Sequence, residues 1–315
     1  MKHTTIGVAF GLALAVALPA GFANAQNLRS FVSAHGLDTN NCTLAAPCRT
    51  FAQALTMTNA GGEIDVLDPA GYGAMTITKA ISIVNDGIGT AGVIVPSGGT
   101  GITINAGAND AVSLRGLSIE GNGVGTYGIV FNTGKSLTVE NCVIRHVAND
   151  GIAFSPNATS SLSVSNSLVA DTGQNGIDVY PSGSGAVTAV FNRVQVNNNN
   201  GNGIVLLGMF STGTVKGTVY DSVAAGNPGG AGFFAITGTG HATTTLMVFN
   251  SVAANNNIGV YAVGIGATVR VAHSIVTGNA SGWQTLSGGV LLSAGDNTIE
   301  GNTANETAPG TYATK

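Results

Sequence analysis

"SLTVENCVIRHVANDGIAFSP", Ser136 to Pro156, and "SLSVSNSLVADTGQNGIDVYP", Ser161 to Pro181, are one pattern set down twice, 25 residues apart. Identity is loose, but the alternation of apolar and polar residues is tight. The place of Asn141 is taken elsewhere by Gly116, Asn166, Asn192, Asp221, Asn250, His273 and Asn297, at intervals of 25, 25, 26, 29, 29, 23 and 24 residues. A second landmark keeps step: Gly128-Ile129, Gly151-Ile152, Gly176-Ile177, Gly203-Ile204, Gly232-Phe233, Gly259-Val260 and Gly289-Val290. Two columns in phase identify an internal array.

Within one repeat, Leu137 and Val139 flank Thr138 with the period of a strand. Asn141 interrupts it, and Asn tolerates the left-handed backbone of a sharp turn. Val143 and Ile144 begin a second strand, and Ile152 to Phe154 make a third after a polar loop. Three short strands per repeat, with turns too sharp for hairpins, predict a rung of a right-handed parallel β-helix. Rungs stack at ~4.8 Å. Leu137 is then expected on Leu162, Val139 on Val164, and Ile152 on Ile177 on Ile204. Asn141, Asn166, Asn192, Asp221, Asn250 and Asn297 are expected to form a turn ladder of stacked polar side chains. No rung buries its own inner face, so about ten rungs are expected. A leucine-rich repeat lacks its Leu frame here, and an α/β fold lacks its helices.

Outward from the array, Met1-Lys2-His3, the apolar run Ile6–Leu18 and Ala23-Asn24-Ala25 have the layout of a secretory signal peptide over 1–25. The run of 13 residues is short of the ~20 that span a membrane. The expected location is secreted or periplasmic. Residues 26–62 read as an N-terminal cap with a short helix in Arg49–Gly62, 63–302 as the β-helix, and 303–315 as a polar tail that frays. Cys42 and Cys48 are expected to form a local disulfide, and Cys142 to be buried. Charged residues make up only 8% and the net charge is −4. With no Lys/Arg cluster, nucleic-acid binding is not expected.

The turn column N-C/S-x-[VI], the column G-[IV]-x-[VF] and the cap after "CRTF" (Cys48–Phe51) resemble the secreted right-handed parallel β-helix proteins, the superfamily that includes pectate lyases and polygalacturonases. The resemblance runs from Leu28 to Asn302 and implies the fold. It implies no single activity, because the scaffold carries several.

"ANDGIAF" (Ala148–Phe154) and "QNGIDVY" (Gln174–Tyr180) resemble halves of the polygalacturonase segment N-T-D-G-I-D-I, which makes Asp150 and Asp178 candidate carboxylates. Counting rungs and strand positions puts them ~11 Å apart, beyond the ~5–9.5 Å of glycosidase pairs. The partner motifs Asp-Asp, Gly-His-Gly and Arg-Ile-Lys are absent. Arg145, His146, Asp150, Asp171 and Asp178 are the densest titratable group, with His146 and Asp171 one rung apart in one column. Tyr127, Tyr180, Tyr220 and Tyr261 suit either a sugar platform or stacking along the coil. No cofactor is expected, with Ca²⁺ reserved for a lyase reading. The leading expectation is an exported non-catalytic module that binds a polysaccharide or another cell-envelope component. The alternative is a lyase or hydrolase of uronate-containing glycans with its site around Arg145–Asp178.

Overall fold

The computed structural model describes residues 1–3, 27–307 and 310–313; apart from its first three residues, the signal peptide read at 1–25 lies outside the described residues. The chain winds as a right-handed parallel β-helix of about ten turns. Each turn gives one strand to each of three sheets. The first sheet has eleven strands, from Asn27–Val32 to Val290–Ser293. The second has ten, from Ala70–Gly71 to Thr298–Ile299. The third has nine, from Met75–Ile77 to Ser281–Leu286. The named strands pair in parallel, and like residues stack: Leu137 on Leu162, Val139 on Val164, and Ile152 on Ile177 on Ile204.

Alternation sends one set of side chains inward on each strand. Phe131, Phe154, Phe191, Phe233 and Trp283 are buried in that interior with the Ile and Val stacks. Each such burial is worth ~1.5–3 kcal/mol. The glycine column has a steric cause. A Cβ at Gly151 would lie 2.2 Å from Val169 Cγ1 and 2.7 Å from the Gly176 carbonyl. The last place in this column is Gly282-Trp283, which pairs with Gly259-Val260; Gly289-Val290 belongs to the first sheet instead.

The front cap is shorter than its sequence span. Its helix is Phe51–Met57, capped by Thr50, whose hydroxyl accepts from Gln53 N, and it buries Phe51, Ala54 and Leu55. It ends before Gly61-Gly62 because Thr58–Val66 is already a strand, paired with Asn27–Val32. The edge of that first strand is covered by Cys42 and Cys48, which form a disulfide and exchange backbone bonds with Phe31. At the other end, the polar segment follows the coil: Gly282 N–H donates to Ala304 O and Tyr312 N–H to Ser293 O.

The turn between first and second sheets is left-handed at Gly116, Asn141, Asn166, Arg193, Asp221, Asn250 and His273, with φ between 47° and 72°. Asn192 and Asn297 therefore depart from the expected ladder. Asn192 ends a strand, opposite Ser165, and Arg193 makes the turn. The register is set by Phe191 and Val194, both fully buried, because a one-residue slip would reverse every facing. Asn297 sits one place later, accepting Ser274 N–H at 2.8 Å, while Asp296 accepts the N–H of His273. Side-chain bonding within the turn column joins Asn250 to Asp221. The more regular ladder is the next column, where Ser222 N–H donates to Ser251 Oγ and Ser251 N–H to Ser274 Oγ, both at 3.1 Å.

A second ladder runs inside the coil at the turn out of the second sheet. Asn199, Asn227, Asn256, Asn279 and Asn302 stack on successive rungs. Each of the first four gives its backbone N–H and its side-chain amide to the next Oδ1, at 2.7–3.1 Å. The first four are essentially without solvent contact. The asparagine-rich stretches Asn197–Gly203 and Asn255–Asn257 thus supply the core amides Asn199 and Asn256.

Candidate functional site

The titratable cluster expected around Arg145–Asp178 divides in two. One part borders the second sheet. Arg145 ends the strand Val143–Arg145, and His146 follows in a left-handed turn with φ 54°. Glu120, one rung earlier, accepts from Arg145 Nε at 3.1 Å and meets His146 Nδ1 at 2.8 Å. His146 Nε2 lies 3.7 Å from Asp171, so these two do meet across one rung. Partial burial would raise the Glu120 pKa, but the Asn122 N–H, His146 and Arg145 together hold it below the usual carboxylate range. Glu120, His146 and Asp171 line an open groove of about 880 Å³ with Asn122, Asn198 and Asn200. Glu120 escaped notice in the sequence because it lies in a glycine-rich stretch a full rung ahead of the other members.

The other part lies on the outer face of the third sheet. Asp178 is the middle residue of Ile177–Val179, and it points outward because its neighbours fill the core. Its register partners along the face are Val130, Ala153, Val205, Phe234 and Tyr261. It is a single carboxyl in an otherwise uncharged column, which Thr103 and Thr76 continue on one side and Gln284 on the other. Asp150 enters the same face from the loop before Ile152–Phe154. Its Oδ1 accepts two bonds from Asn175, from the backbone N–H at 2.9 Å and from Nδ2 at 3.1 Å. Asp178 Oδ2 stands 3.5 Å from that same Nδ2. The two carboxyls are therefore within two hydrogen-bond lengths of each other, not the ~11 Å of a flat projection. The chain turns a corner at Gly151 and Gly176, and the strand spacing does not run straight through it.

The orientation of Asn175 is fixed by backbone chemistry. Its Oδ1 accepts the Asn202 N–H at 3.0 Å and Asn202 Nδ2 at 2.8 Å. Asn202 Oδ1 in turn accepts the Ala231 N–H at 2.8 Å. A backbone N–H can only donate, so each amide oxygen is assigned, and Nδ2 of Asn175 must face the acids. Tyr127, whose hydroxyl accepts from Asn149 at 2.7 Å, and Tyr180, bonded to Ser155, flank the pair.

Burial, and then the charge of Asp150, push the Asp178 pKa up to about 8. Burial raises Asp150 too, and the two bonds from Asn175 pull the other way. Asp178 Oδ1 is buried without a hydrogen-bond partner. The site thus sets a buried acid that keeps its proton up to about pH 8 beside a carboxyl group hydrogen-bonded by Asn175.

Tyr220 and Tyr261 stack on Phe249 and Phe234, with ring centroids 5.7 and 4.7 Å apart, so their faces are occupied along the coil. Among the described residues no group of three or more His, Cys, Asp or Glu could hold a metal ion. Nor is any helix among them long and apolar enough to cross a membrane.

In comparison with known proteins, residues 66–219 match the family described as the right-handed β-helix region. No curated protein matches the sequence. Among solved structures, the chain is similar to an alginate lyase from Paenibacillus sp. strain FPU-7, with 14% identity over 90% of this chain and 99% of that one and a TM-score of 0.59. It is similar to the pectate lyase Pel9A, with 19% identity over 83% and 76% and a TM-score of 0.58. A lacto-N-biosidase from Eubacterium ramulus shares 12% identity over 91% and 67% at a TM-score of 0.50. At these identities the likeness concerns the fold.

Proposed function

The chain is a right-handed parallel β-helix with the pectate-lyase-like fold, and on that premise we propose that it cleaves a glycosidic bond on the outer face of its third sheet, with Asp178 and Asp150 as the reacting pair. The observation that carries the reading is the placement of two carboxyl groups on one oriented amide, in a face where the neighbouring rungs present Val130, Ala153, Val205 and Phe234. A purely structural rung is served better by Val than by an acid with a buried, unpartnered oxygen. Groups kept at such a cost with shifted pKa values mark functional sites. Solved structures with this fold include an alginate lyase and a lacto-N-biosidase, which supports a glycan as ligand. The disulfide fits an extracellular setting, where polysaccharides are met.

Asp178 carries its proton at neutral pH and donates it to the glycosidic oxygen. Asp150, hydrogen-bonded by Asn175, attacks the anomeric carbon in its ionised form as the bond to the protonated oxygen breaks, and water activated by the now ionised Asp178 then releases the sugar. With 3.1 and 3.5 Å to one shared nitrogen, the nearer oxygens stand at most about 6.6 Å apart, which reaches only the lower edge of the ~6.5–9.5 Å inverting range and favours the closer spacing of retaining pairs. Retention of anomeric configuration is therefore expected. A Ca²⁺-dependent lyase does not fit this pair. The space between the carboxyls is faced by the amide hydrogens of Asn175, which repel a cation, and Ca²⁺ takes 6–8 oxygens.

A second reading, non-catalytic glycan binding, is favoured by two observations. Asp150 is only 5% exposed, and the roomy polar groove lies elsewhere, lined by Glu120, His146, Asp171, Asn198 and Asn200. The test is incubation with a panel of polysaccharides, reading new reducing ends and retardation in glycan-containing native gels. Cleavage by the wild type that is lost in Asp178→Asn, with retardation kept, upholds the first reading. Retardation without new reducing ends, lost in Asp171→Ala but not in Asp178→Asn, replaces it with the second.

A further inference from the structure

The charges around the acid pair define the class of glycan. The nine strands of the third sheet contain no Lys or Arg, and neither do the loops that enter it from the second sheet. Asp178 is the only ionised or ionisable acid on those strands. The exposed Lys135 lies just beyond the third-sheet strand Tyr127–Thr133, at the corner into the first sheet, and several of the other basic residues are engaged elsewhere. Arg29 pairs with Asp65 and Glu63, and Arg115 with Asp86, both on the first sheet side. Arg145 pairs with Glu120 at the second sheet. Lys79 donates to the Thr58 carbonyl beside the cap helix. The charge that adds to burial in raising Asp178 is that of Asp150.

A uronate polymer carries one carboxylate per sugar. Laid along this face, it would meet no cation and would set its charges against Asp150, a repulsion made larger by partial burial. A neutral sugar chain meets no such barrier. Its hydroxyls can donate to Asp150, accept from Asp178 and Asn149, and exchange hydrogen bonds with Tyr127 and Tyr180. Its apolar ring faces can lie over the half-buried Leu207 and Ile236. From this distribution we infer that the glycan taken by the third-sheet face is neutral, in contrast to the uronate-containing glycans of the alternative reading of the sequence. The inference rests on the cleavage reading above for the location of the site, and on the charge map for the substrate class.

The experiment sets xylan, mixed-linkage β-glucan and galactan against polygalacturonate and alginate. Reducing-end release is measured with wild type and Asp178→Asn, and native affinity gels with Asp178→Asn are run on the same panel. The expected result is release from at least one neutral polymer, more than ten-fold above either uronate and absent in Asp178→Asn. Asp178-dependent release from a uronate polymer as fast as from the neutral ones overturns the inference and keeps the cleavage reading. If no polymer is cleaved, the cleavage reading falls and the gels decide the class. Retardation by a neutral polymer and not by the uronates, kept in Asp171→Ala, upholds it. Retardation by uronates, by neither, or only through Asp171, overturns it.

Discussion

Replacing Asn227 by Ala tests the inner asparagine ladder. Asn227 Oδ1 accepts both the backbone N–H and the side-chain amide of Asn199, each at 3.0 Å. Its own Nδ2 donates to Asn256 Oδ1 at 2.7 Å. Truncation strands two donors of Asn199, which is fully buried, whereas Asn256 Oδ1 keeps the Asn227 backbone N–H at 3.1 Å. At about 1–3 kcal/mol for each buried polar group left unpaired, the expected loss is about 2–6 kcal/mol. The control is Asn200→Ala, at an exposed neighbouring position, expected within about 0.5 kcal/mol of wild type. Urea unfolding followed by far-UV circular dichroism reads both as shifts of midpoint at unchanged slope. Equal midpoints for the two variants would refute the reasoning, because they would mean that the Asn199 donors find water or another acceptor once the ladder is cut.

Stability should also report the proton on Asp178. Its folded pKa is raised, from a model-compound 3.8 to about 8, so the folded state binds the proton more tightly than the unfolded chain. Stability is then greatest below the unfolded value and falls as pH rises through the window from about 4 to about 8. Asp178→Asn should flatten that slope and be the more stable protein at pH 8; thermal melts across pH check it, and an unchanged slope rejects the assignment. Gly151→Ala drives a Cβ into Val169 and the next rung's carbonyl, at 2.2 and 2.7 Å. It should destabilise by about 1–3 kcal/mol, measured in the same urea series against Gly71→Ala, which meets nothing within 4 Å.

The coil is legible where a residue type and a backbone demand coincide. Asn141, Asn166 and Asn250 announce their turns because asparagine accepts the left-handed conformation; Arg193 makes the same turn in a side chain that does not advertise it. There the buried Phe191 and Val194 fix the register, and core facing outweighs turn preference. The site is less legible. Asp150 and Asp178 look remote when residues are counted along a straight strand, and only the corner at Gly151 and Gly176 brings both to Asn175. Glu120 is invisible for a related reason, since its partners Arg145 and His146 are a whole rung away in sequence. Contacts between rungs depend on loop lengths that vary from turn to turn, and short motifs carry no record of them.

The Asn199–Asn302 amides all point the same way, so the column is a row of head-to-tail dipoles. Thr172 opens it by donating its hydroxyl to Asn199 at 2.9 Å. The last backbone hydrogen, on Asn302, is received by the carboxylate of Glu306 at 2.8 Å, a negative stopper on the positive end. A segment added or deleted within this span must bring or remove its own asparagine at the same phase. Length in this molecule is therefore quantised: evolution or engineering can change it by whole circuits, and a fractional change breaks the row.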